Sequence, residues 1–296
     1  MKKKILLASA VALSSVMLLA AKPVNSNNFI FQNTPVMQLI AHSNLSQAQK
    51  TQLYSQMYAD QLMFADLWMQ NSGEYRALCY QAFNTAEQSF MTYKKAHPNE
   101  KLAVIVDLDE TMLDNEAQTG YQLKNSVTFN QKVWSKWVQS EQVKPTPGSV
   151  AFSHFIENNG GTIFYISDRS QANKASTIAS LNKLGFANVS QSSVMLKTTT
   201  SDKVARFDKV KQMGYTIVLQ MGDNLSDLTG DTFHKSNAQR RAWVDSNKTQ
   251  FGVKYFVIPN PIYGGWVSGL SKDYYSNSVQ QQLQIDANNV QAWNGQ

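Results

Sequence analysis

Residues 102–115 read LAVIVDLDETMLDN, a short apolar run that passes directly into acidic and polar side chains. A continuous apolar run of this length is typical of a strand that is buried on both faces of a sheet. Similar runs occur at 162–166, 216–219 and 255–258, and stretches with helical patterns separate them. The alternation predicts an α/β fold in which helices flank a parallel sheet.

The patterns around these strands suggest how the chain is organised. Residues 44–99 carry apolar side chains at helical spacing after a capping box at Ser46, and we expect these helices to contribute to a cap. Residues 100–270 form the expected core, with an aromatic and polar insert at 115–145. Residues 271–296, rich in Gln and Asn, are expected to form a helical surface tail.

The N-terminus has the pattern of a secretory signal. Three lysines precede an apolar run at 5–19 and two small alanines, which predicts a signal at 1–21 followed by a linker or arm at 22–43. The run is short for a bilayer span of about 20 residues. Lys22 stands where a lipoprotein carries cysteine. We therefore expect export to the periplasm or the medium as a soluble protein, without a stable membrane anchor.

Charge and cysteine content exclude several classes of partner. Of the 27 Lys and Arg residues three lie in 1–21, whereas none of the 21 Asp and Glu residues does, so cleavage would leave a net charge of +3. This charge is too small to indicate binding to nucleic acid. Cys79 is the only cysteine, which excludes an intrachain disulfide, and its apolar neighbours predict that it is buried.

Polar side chains follow the predicted strands at the points where the apolar runs end. Asp107 and Asp109 follow the first run, Ser167 the second and Asp223 the third, and Lys203 lies between the last two. The carboxyl ends of parallel strands meet at one edge of a sheet, where ligands bind. We therefore expect these side chains to converge there, since packing alone does not require acids at successive strand ends.

Together these residue types suit the hydrolysis of phosphomonoesters. Asp107 and Asp223 offer the oxygen ligands that Mg²⁺ prefers. Asp107 can attack phosphorus, while Asp109 can protonate the leaving oxygen and then activate water. Ser167 and Lys203 can bind the phosphoryl oxygens.

Two neighbouring residues are expected to support the metal site from behind. Asp227, four residues after Asp223, can orient it or a metal-bound water, and Asn224 belongs to the same supporting group. The four histidines lie outside these motifs, which speaks against a histidine phosphatase, and no Gly-rich loop ending in Lys-Ser/Thr indicates a P-loop enzyme.

Residues 107–115 and 222–227 together resemble the class C nonspecific acid phosphatases of the haloacid dehalogenase (DDDD) superfamily. Within that class they are most similar to the bacterial outer-membrane lipoprotein acid phosphatases that act as 5'-nucleotidases. The resemblance spans about residues 50–295 and continues at 164–169, 183–186, 203–207, 240–242 and 263–266. It implies a Rossmann-like core with a small helical cap, and a phosphatase domain at 44–296.

The resemblance also implies roles for individual residues. It implies Mg²⁺ held by Asp107, Asp223 and the backbone carbonyl of Asp109. Asp107 would be the nucleophile and Asp109 the acid and base, with Ser167 and Lys203 binding phosphate.

An aromatic clamp for the nucleoside base is a further implication. Trp134 and Tyr263 fit best, Tyr121 fits less well, and Arg169 is expected to contact substrate. Stacking tolerates any base because every base has a π-face. The alternative, that these aromatic residues belong to the core, stays open.

The sequence departs from the family pattern in three places. The cysteine of the lipoprotein signal is absent, as noted above. Asp168 follows Ser167 where similar proteins carry asparagine, and this additional acid could weaken phosphate binding or make it depend on pH. Leu228 replaces an aromatic residue after Asp227, which we expect to affect packing alone.

Three hypotheses follow for function. The first is a 5'-nucleotidase and acid phosphatase acting on nucleoside monophosphates, with nicotinamide mononucleotide as another substrate. The second is a broad phosphatase of aryl and sugar phosphates, and the third is an inactive surface protein that binds ligands. The N-terminal helices and the tail could also support a homodimer.

Overall fold

The computed structural model of the protein describes residues 35–295. The predicted signal at 1–21 and the first part of the linker, up to residue 34, lie outside the described residues. No helix between residues 35 and 295 is long and apolar enough to cross a bilayer.

A five-stranded parallel sheet forms the centre of the fold. Its strands are β1 (Leu102–Val106), β4 (Thr162–Ser170), β5 (Val194–Lys197), β6 (Thr216–Gly222) and β7 (Tyr255–Val257). They lie in the order β5-β4-β1-β6-β7. The predicted α/β fold is confirmed. The central strand β1 has the bounds that its apolar run predicts, while β4 and β6 extend further than their runs, and β5 was not predicted at all. A separate antiparallel pair joins β2 (Leu113–Asp114) and β3 (Lys144–Pro145).

Helices flank the sheet and form most of the N-terminal region and the insert. In chain order they are α1 (Pro35–His42), α2 (Gln47–Gln61), α3 (Met63–Asn71), α4 (Gly73–Ala96), α5 (Glu116–Asn125), α6 (Gln131–Ser140), α7 (Ser149–Asn158), α8 (Lys174–Lys183), α9 (Val204–Gln212), α10 (Asn237–Ser246), α11 (Gly265–Ser268) and α12 (Val279–Asn289). Short 3-10 turns include Gln171–Asn173 and Leu225–Asp227.

Strand register brings the polar strand ends together. Val106, the last residue of β1, pairs with Tyr165 of β4 on one side and with Met221 of β6 on the other. The backbone N–H of Asp107 continues this ladder and donates to the carbonyl of Met221 at 2.9 Å. The residues that follow β1, β4 and β6 therefore lie at the same edge of the sheet.

The N-terminal helices are ordered by caps and by burial. The predicted capping box is present, since Ser46 and Gln49 exchange hydrogen bonds between side chain and backbone. Helix α1 occupies residues 35–42 of the expected linker. On α4, Phe83 and Phe90 lie in the main core, and Cys79 is fully buried beside them, as predicted.

The two ends of the insert at 115–145 lie side by side, because β2 and β3 pair there as antiparallel strands. It carries α5 and α6, and Trp137 of α6 donates from its indole nitrogen to Asn115 at 2.8 Å. Gln70 of α3 donates to the backbone carbonyl of Glu116 at 3.4 Å, so the N-terminal helices contact the insert. The insert therefore lies directly beside the acidic segment that follows β1.

The C-terminal tail packs on the N-terminal helices. Leu283 of α12 is buried in a small apolar cluster with Met37, Ile40 and Tyr54. The two ends of the described chain thus form one helical layer.

Candidate active site

Lys203 is the cation at the centre of the acidic edge. Its ammonium group contacts Asp107, donates to Asp227 at 2.7 Å and to the carbonyl of Ile166 at 2.7 Å. Lys203 is 2% exposed. It is therefore not one of the solvent-exposed surface charges that lysines usually provide. Burial alone would lower its pKa, but the two carboxylates outweigh burial and raise it. Lys203 is therefore held as a charged ammonium group beside the predicted nucleophile.

Three carboxyl groups face one another at this edge. Oxygen atoms of Asp107, Asp223 and Asp227 all lie within 4.8 Å of one another. Asp227 is paired with Lys203, and its other oxygen accepts the backbone N–H of Asn224 at 3.0 Å. Asp223 has no ion-pair partner among residues 35–295.

Asp223 is held in place by neutral donors. The hydroxyl of Thr111 donates to it at 3.2 Å, and the amide of Asn260 donates to its second oxygen at 2.8 Å. Burial, followed by repulsion from Asp227, Asp107 and Glu110, raises the pKa of Asp223 well above the ordinary range. Burial also raises the pKa of Asp107 to about 8, although Lys203 opposes the shift.

This surplus of buried carboxylates fits a bound cation. Removing an anion from water is costly unless a positive charge compensates it, and Asp223 has no such charge in the described chain. The donors on Asp107 and Asp223 are oxygen atoms, which suit a hard divalent cation such as Mg²⁺. These two residues are therefore the best candidates to hold a metal, while Asp227 is largely committed to Lys203 and Asn224.

Gly222 allows the candidate metal-binding turn, residues 222–227, to approach the end of β6. A Cβ atom on Gly222 would lie 2.3 Å from the Cβ atom of Asp227, so no larger residue fits without movement. The turn that follows is closed by reciprocal hydrogen bonds between Asn224 and Asp227. Arg240, which is 6% exposed, donates to the side chain of Asn224 at 2.8 Å. Asn224 thus shapes the turn rather than facing the metal position.

Asp109 is held by Arg169. Nε of Arg169 donates to the two carboxylate oxygens at 3.0 and 3.1 Å, and Nη2 donates to one of them at 2.7 Å. Asn115 adds a donor at 2.9 Å. The side chain of Arg169 is 0% exposed, whereas that of Asp109 is 14% exposed. Asp109 is therefore the member of this pair that is open to a substrate, and contact between Arg169 and substrate stays a prediction.

Two of the three clamp candidates contact this pair or the residue next to Asp109. The guanidinium carbon of Arg169 lies 5.8 Å from the ring centroid of Trp134, in a cation–π contact. Tyr263 donates its hydroxyl to Glu110 and is 41% exposed. Tyr121 is 47% exposed on α5. None of the three rings is buried in the core.

Glu110 is a site residue that the sequence reasoning missed. It is 3% exposed, accepts the backbone N–H of Asn115 at 3.1 Å and has a positive φ of 56°. A non-glycine residue in this region is strained, and such strain is common at functional sites. Burial, with repulsion from Asp109, raises its pKa to about 8. The only signal in the sequence was a third acid in the run at 107–110.

Ser167 lies in the last half of β4, three residues before the strand ends, and is 1% exposed. Its hydroxyl accepts the backbone N–H of Arg169 at 3.2 Å. Asp168, the residue that departs from the family pattern, turns away to form an ion pair with Arg206 at 2.9 Å. A cavity of about 460 Å³ opens on the other side of the site, where Asp223, Asn224, Arg240, Arg241 and Trp266 contribute to its lining.

A parallel sheet with these acids after its central strand defines the haloacid dehalogenase type of α/β fold. The sequence matches the family described as HAD superfamily, subfamily IIIB (Acid phosphatase), over residues 30–266, and the chain belongs to this family.

Solved structures agree with this assignment. The class C acid phosphatase from Bacillus anthracis is 33% identical, with a TM-score of 0.77, over 80% of this chain and 99% of that chain. The structure of a class C acid phosphatase from Bacillus anthracis with tungstate bound is also 33% identical, with a TM-score of 0.76, over 79% and 98% of the two chains. The resemblance to class C acid phosphatases is thereby confirmed.

Plant proteins are more distant relatives. Acid phosphatase 1 of Solanum lycopersicum is 24% identical over 164 residues, or 54% of this chain and 57% of that protein. The stem 31 kDa glycoprotein of Glycine max is 26% identical over 59% of this chain and 63% of that protein. The chain thus spans less than two thirds of the length of these curated relatives.

Proposed function

We propose that the protein is an exported, Mg²⁺-dependent phosphomonoesterase that acts on nucleoside monophosphates through an aspartyl-phosphate on Asp107. One observation carries the proposal: Lys203 bridges Asp107 and Asp227, while Asp223 faces them without a cationic partner in the described chain. A nucleophilic carboxylate, a fixed cation for phosphate and an uncompensated metal ligand are therefore within reach of one another. Family membership supports the phosphatase reaction.

The first half of the reaction transfers the phosphoryl group. A carboxylate oxygen of Asp107 forms a bond to phosphorus as the bond to the ester oxygen breaks. Protonated Asp109 gives its proton to that oxygen, and the alcohol leaves. Ser167 and Lys203 hold the phosphoryl oxygens. Bound Mg²⁺ would stabilise negative charge on the phosphoryl group and on Asp107.

The second half releases phosphate. Asp109, now a carboxylate, takes a proton from water as the water oxygen attacks phosphorus and the bond to Asp107 breaks. The products are inorganic phosphate and the original carboxylate of Asp107. The exposure of Asp109 towards solvent, with Arg169 behind it, suits both proton transfers.

Preference for nucleotides is supported by two rings that the core does not bury, the exposed ring of Tyr263 and the partly exposed ring of Trp134. Trp134 and Tyr263 flank the segment that carries Asp109 and Glu110, through Arg169 and through the hydroxyl contact respectively. A base stacked on either ring would place its 5'-phosphate near the acidic edge. We include nicotinamide mononucleotide because its ring can stack in the same way.

The test is phosphate release from AMP, nicotinamide mononucleotide and p-nitrophenyl phosphate, at acidic and neutral pH, with Mg²⁺ or EDTA. Asp107→Asn should abolish release from every substrate, because it removes the nucleophile. Asp208→Asn is a matched control, since Asp208 is exposed and pairs only with Lys211 in the described chain. Equal turnover of all substrates would favour a broad phosphatase, and no release from folded, metal-loaded protein would overturn the proposal.

A further inference from the structure

Arg206 connects the two elements that carry the proposed phosphate ligands. It lies on α9, one turn after Lys203, and its Nη1 donates to the backbone carbonyl of Ser167 at 2.6 Å. Ser167 belongs to β4, whereas Lys203 precedes α9, so neither segment alone fixes the distance between them. The side chain of Arg206 is 13% exposed and therefore largely confined by its surroundings.

The same guanidinium also fixes the loop that leads to Lys203. Its Nη2 donates to the backbone carbonyls of Ser201 and Asp202, at 3.3 and 3.4 Å. Lys203 in turn donates to the carbonyl of Ile166, one residue before Ser167. Two cations thus join the end of β4 to the start of α9, and one of them faces the nucleophile.

Arg206 also neutralises the negative charge of Asp168, which lies next to the proposed phosphate site. Its Nη2 also donates to the carboxylate of Asp168, which lies 2.9 Å away. Asp168 directly follows Ser167, and its side chain is 43% exposed. An unpaired carboxylate one residue after Ser167 would repel a phosphate dianion held by Ser167, since like charges near a protein surface repel one another.

We propose that Arg206 is a positioning residue that holds Ser167 and Lys203 together and shields bound phosphate from Asp168. The pair Asp168–Arg206 thereby sets the affinity of the site for tetrahedral oxyanions, including phosphomonoesters and inorganic phosphate. The inference rests on the proposed phosphate-binding roles of Ser167 and Lys203. Asp168, which departs from the family pattern, is accommodated because Arg206 neutralises it.

The experiment measures inhibition by inorganic phosphate and by tungstate, together with kcat and KM for AMP and p-nitrophenyl phosphate. Arg206→Met should raise the inhibition constants and KM about tenfold or more, the loss expected when a charge-assisted contact is removed. Asp168→Asn should lower them, because Arg206 is then left with surplus positive charge. In the double variant Asp168→Asn/Arg206→Met, the inhibition constants should fall back towards the wild-type values.

Recovery in the double variant distinguishes this role from a merely structural one. If Arg206 only stabilised the fold, Asp168→Asn would not restore phosphate binding to Arg206→Met. Arg206→Lys keeps the charge but not the forked geometry, and serves if Arg206→Met does not fold. It should weaken phosphate binding less, and adding Asp168→Asn should then give little further gain.

Several outcomes would overturn the inference. Unchanged phosphate inhibition in folded Arg206→Met would overturn it, and so would the absence of recovery in the double variant. Neither result would affect the proposed function, which turnover by the wild-type protein supports separately. A wild-type protein that neither hydrolysed phosphomonoesters nor bound inorganic phosphate would overturn the proposed function and this inference together. Melting temperatures of all variants check folding independently of activity.

Discussion

Arg169 and Asp109 lie 60 residues apart in the chain and form a forked contact in which Nε and Nη2 both donate to the carboxylate, at 3.0 and 2.7 Å. A forked pair fixes the plane of the carboxylate as well as its position. The arginine also lies against Trp134. The proposed acid and base is thus oriented by a buried cation that links it to a candidate substrate-binding ring.

Replacing Arg169 should therefore affect the chemical step more than binding. Arg169→Met leaves Asp109 without its main donors, and we expect kcat to fall about 100-fold, the lower end of what general acid–base catalysis contributes. KM should change less. The control is Thr177→Val, which removes the 3.3 Å contact at the far end of the guanidinium together with the hydrogen bond from the Thr177 hydroxyl to the carbonyl of Asn173, but leaves the contact with Asp109 in place. A rise in KM with unchanged kcat would instead support direct contact between Arg169 and substrate.

The contact between Tyr263 and Glu110 predicts a split between two substitutions. Tyr263→Ala removes the ring, and we expect kcat/KM for AMP to fall about tenfold more than for p-nitrophenyl phosphate, because base stacking contributes on the order of 1–3 kcal/mol. Tyr263→Phe keeps the ring but removes the hydroxyl that Glu110 accepts. It should therefore affect both substrates equally.

Tyr275→Ala provides a matched control for the loss of an exposed aromatic ring. Tyr275 is 59% exposed, precedes the C-terminal helix and packs edge-to-face on Tyr274, which hydrogen-bonds to Asp286 of that helix. Equal losses on both substrates in Tyr263→Ala would contradict a base clamp at this position.

Mg²⁺ should stabilise the fold through Asp223. Asp223 has no cationic partner in the part of the chain that the structure describes, so metal binding to the folded state should raise the melting temperature. Asp223→Asn should remove this response and should melt at or above the metal-free wild type, because it also removes a partly buried carboxylate that no cation compensates in the described chain. Differential scanning calorimetry with Mg²⁺ or EDTA measures both effects. An undiminished response in Asp223→Asn would place the metal elsewhere.

The free energy of unfolding should fall as pH rises, because two acids are buried where α3 contacts the insert. Burial raises the pKa of Asp66 to about 6, although Gln70 opposes it, and that of Glu116 to about 8, with contributions from Asp114 and Asp66 and opposition from Lys144. The folded state therefore holds these protons more tightly than the unfolded state. Their stabilisation is complete below the ordinary pKa values of acids and is lost progressively as pH rises towards 8.

Urea unfolding in EDTA across this pH range measures the effect. Glu116→Gln removes one titrating group, so the free energy of unfolding of the variant should fall less steeply with pH. The slopes of the variant and the wild type should differ by up to about 1.4 kcal/mol per pH unit. Its carboxylate has one oxygen without a hydrogen-bond partner in the described structure, so the amide should fit without loss of an existing contact there. Identical slopes for the variant and the wild type would show that Glu116 titrates normally.

Gly222→Ala should distort the candidate metal-binding turn. The added methyl group would overlap Asp227, so the turn must move, and Asp227 would shift away from its ion-pair partner Lys203. We expect a large loss of activity and a lower melting temperature. Gly73→Ala is a matched control, because a Cβ atom at that position would meet no neighbouring group within 4 Å and alanine favours a helix. An active Gly222→Ala enzyme would show that the turn tolerates the shift.

The sheet was largely predictable because strands buried on both faces have continuous apolar runs. The run before Asp107 has the bounds of β1 as they stand in the structure. The edge strand β5 escaped because Val194–Lys197 is short and leads into a polar, lysine-containing stretch. Helix α1 escaped because Pro35–His42 is only eight residues long and follows a polar, irregular stretch, so its apolar positions are too few to establish a helical period.

Within the site, the sequence indicated which residues converge but not which partners they choose. Strand ends predicted that Asp107, Ser167 and Asp223 would lie at one edge of the sheet, since the topology requires it. Lys203 joins them from the loop after β5. The direction of Arg169, towards Asp109 and not towards solvent, depends on side-chain packing that no local pattern encodes. Glu110 was missed for a related reason. The sequence does not show which acid in the run faces the site, because that depends on the positive φ of Glu110.

The central position of β1 has a consequence for how activity appears during folding. The proposed phosphate ligands lie on β4 and in the loop after β5, and Asp223 follows β6 on the opposite side of β1. The proposed nucleophile therefore gains its partners only when both neighbouring strands have joined. Parallel pairings between distant segments form slowly. Recovery of phosphate release after dilution from denaturant would therefore report assembly of the whole sheet, and a partly folded intermediate would be silent in that assay.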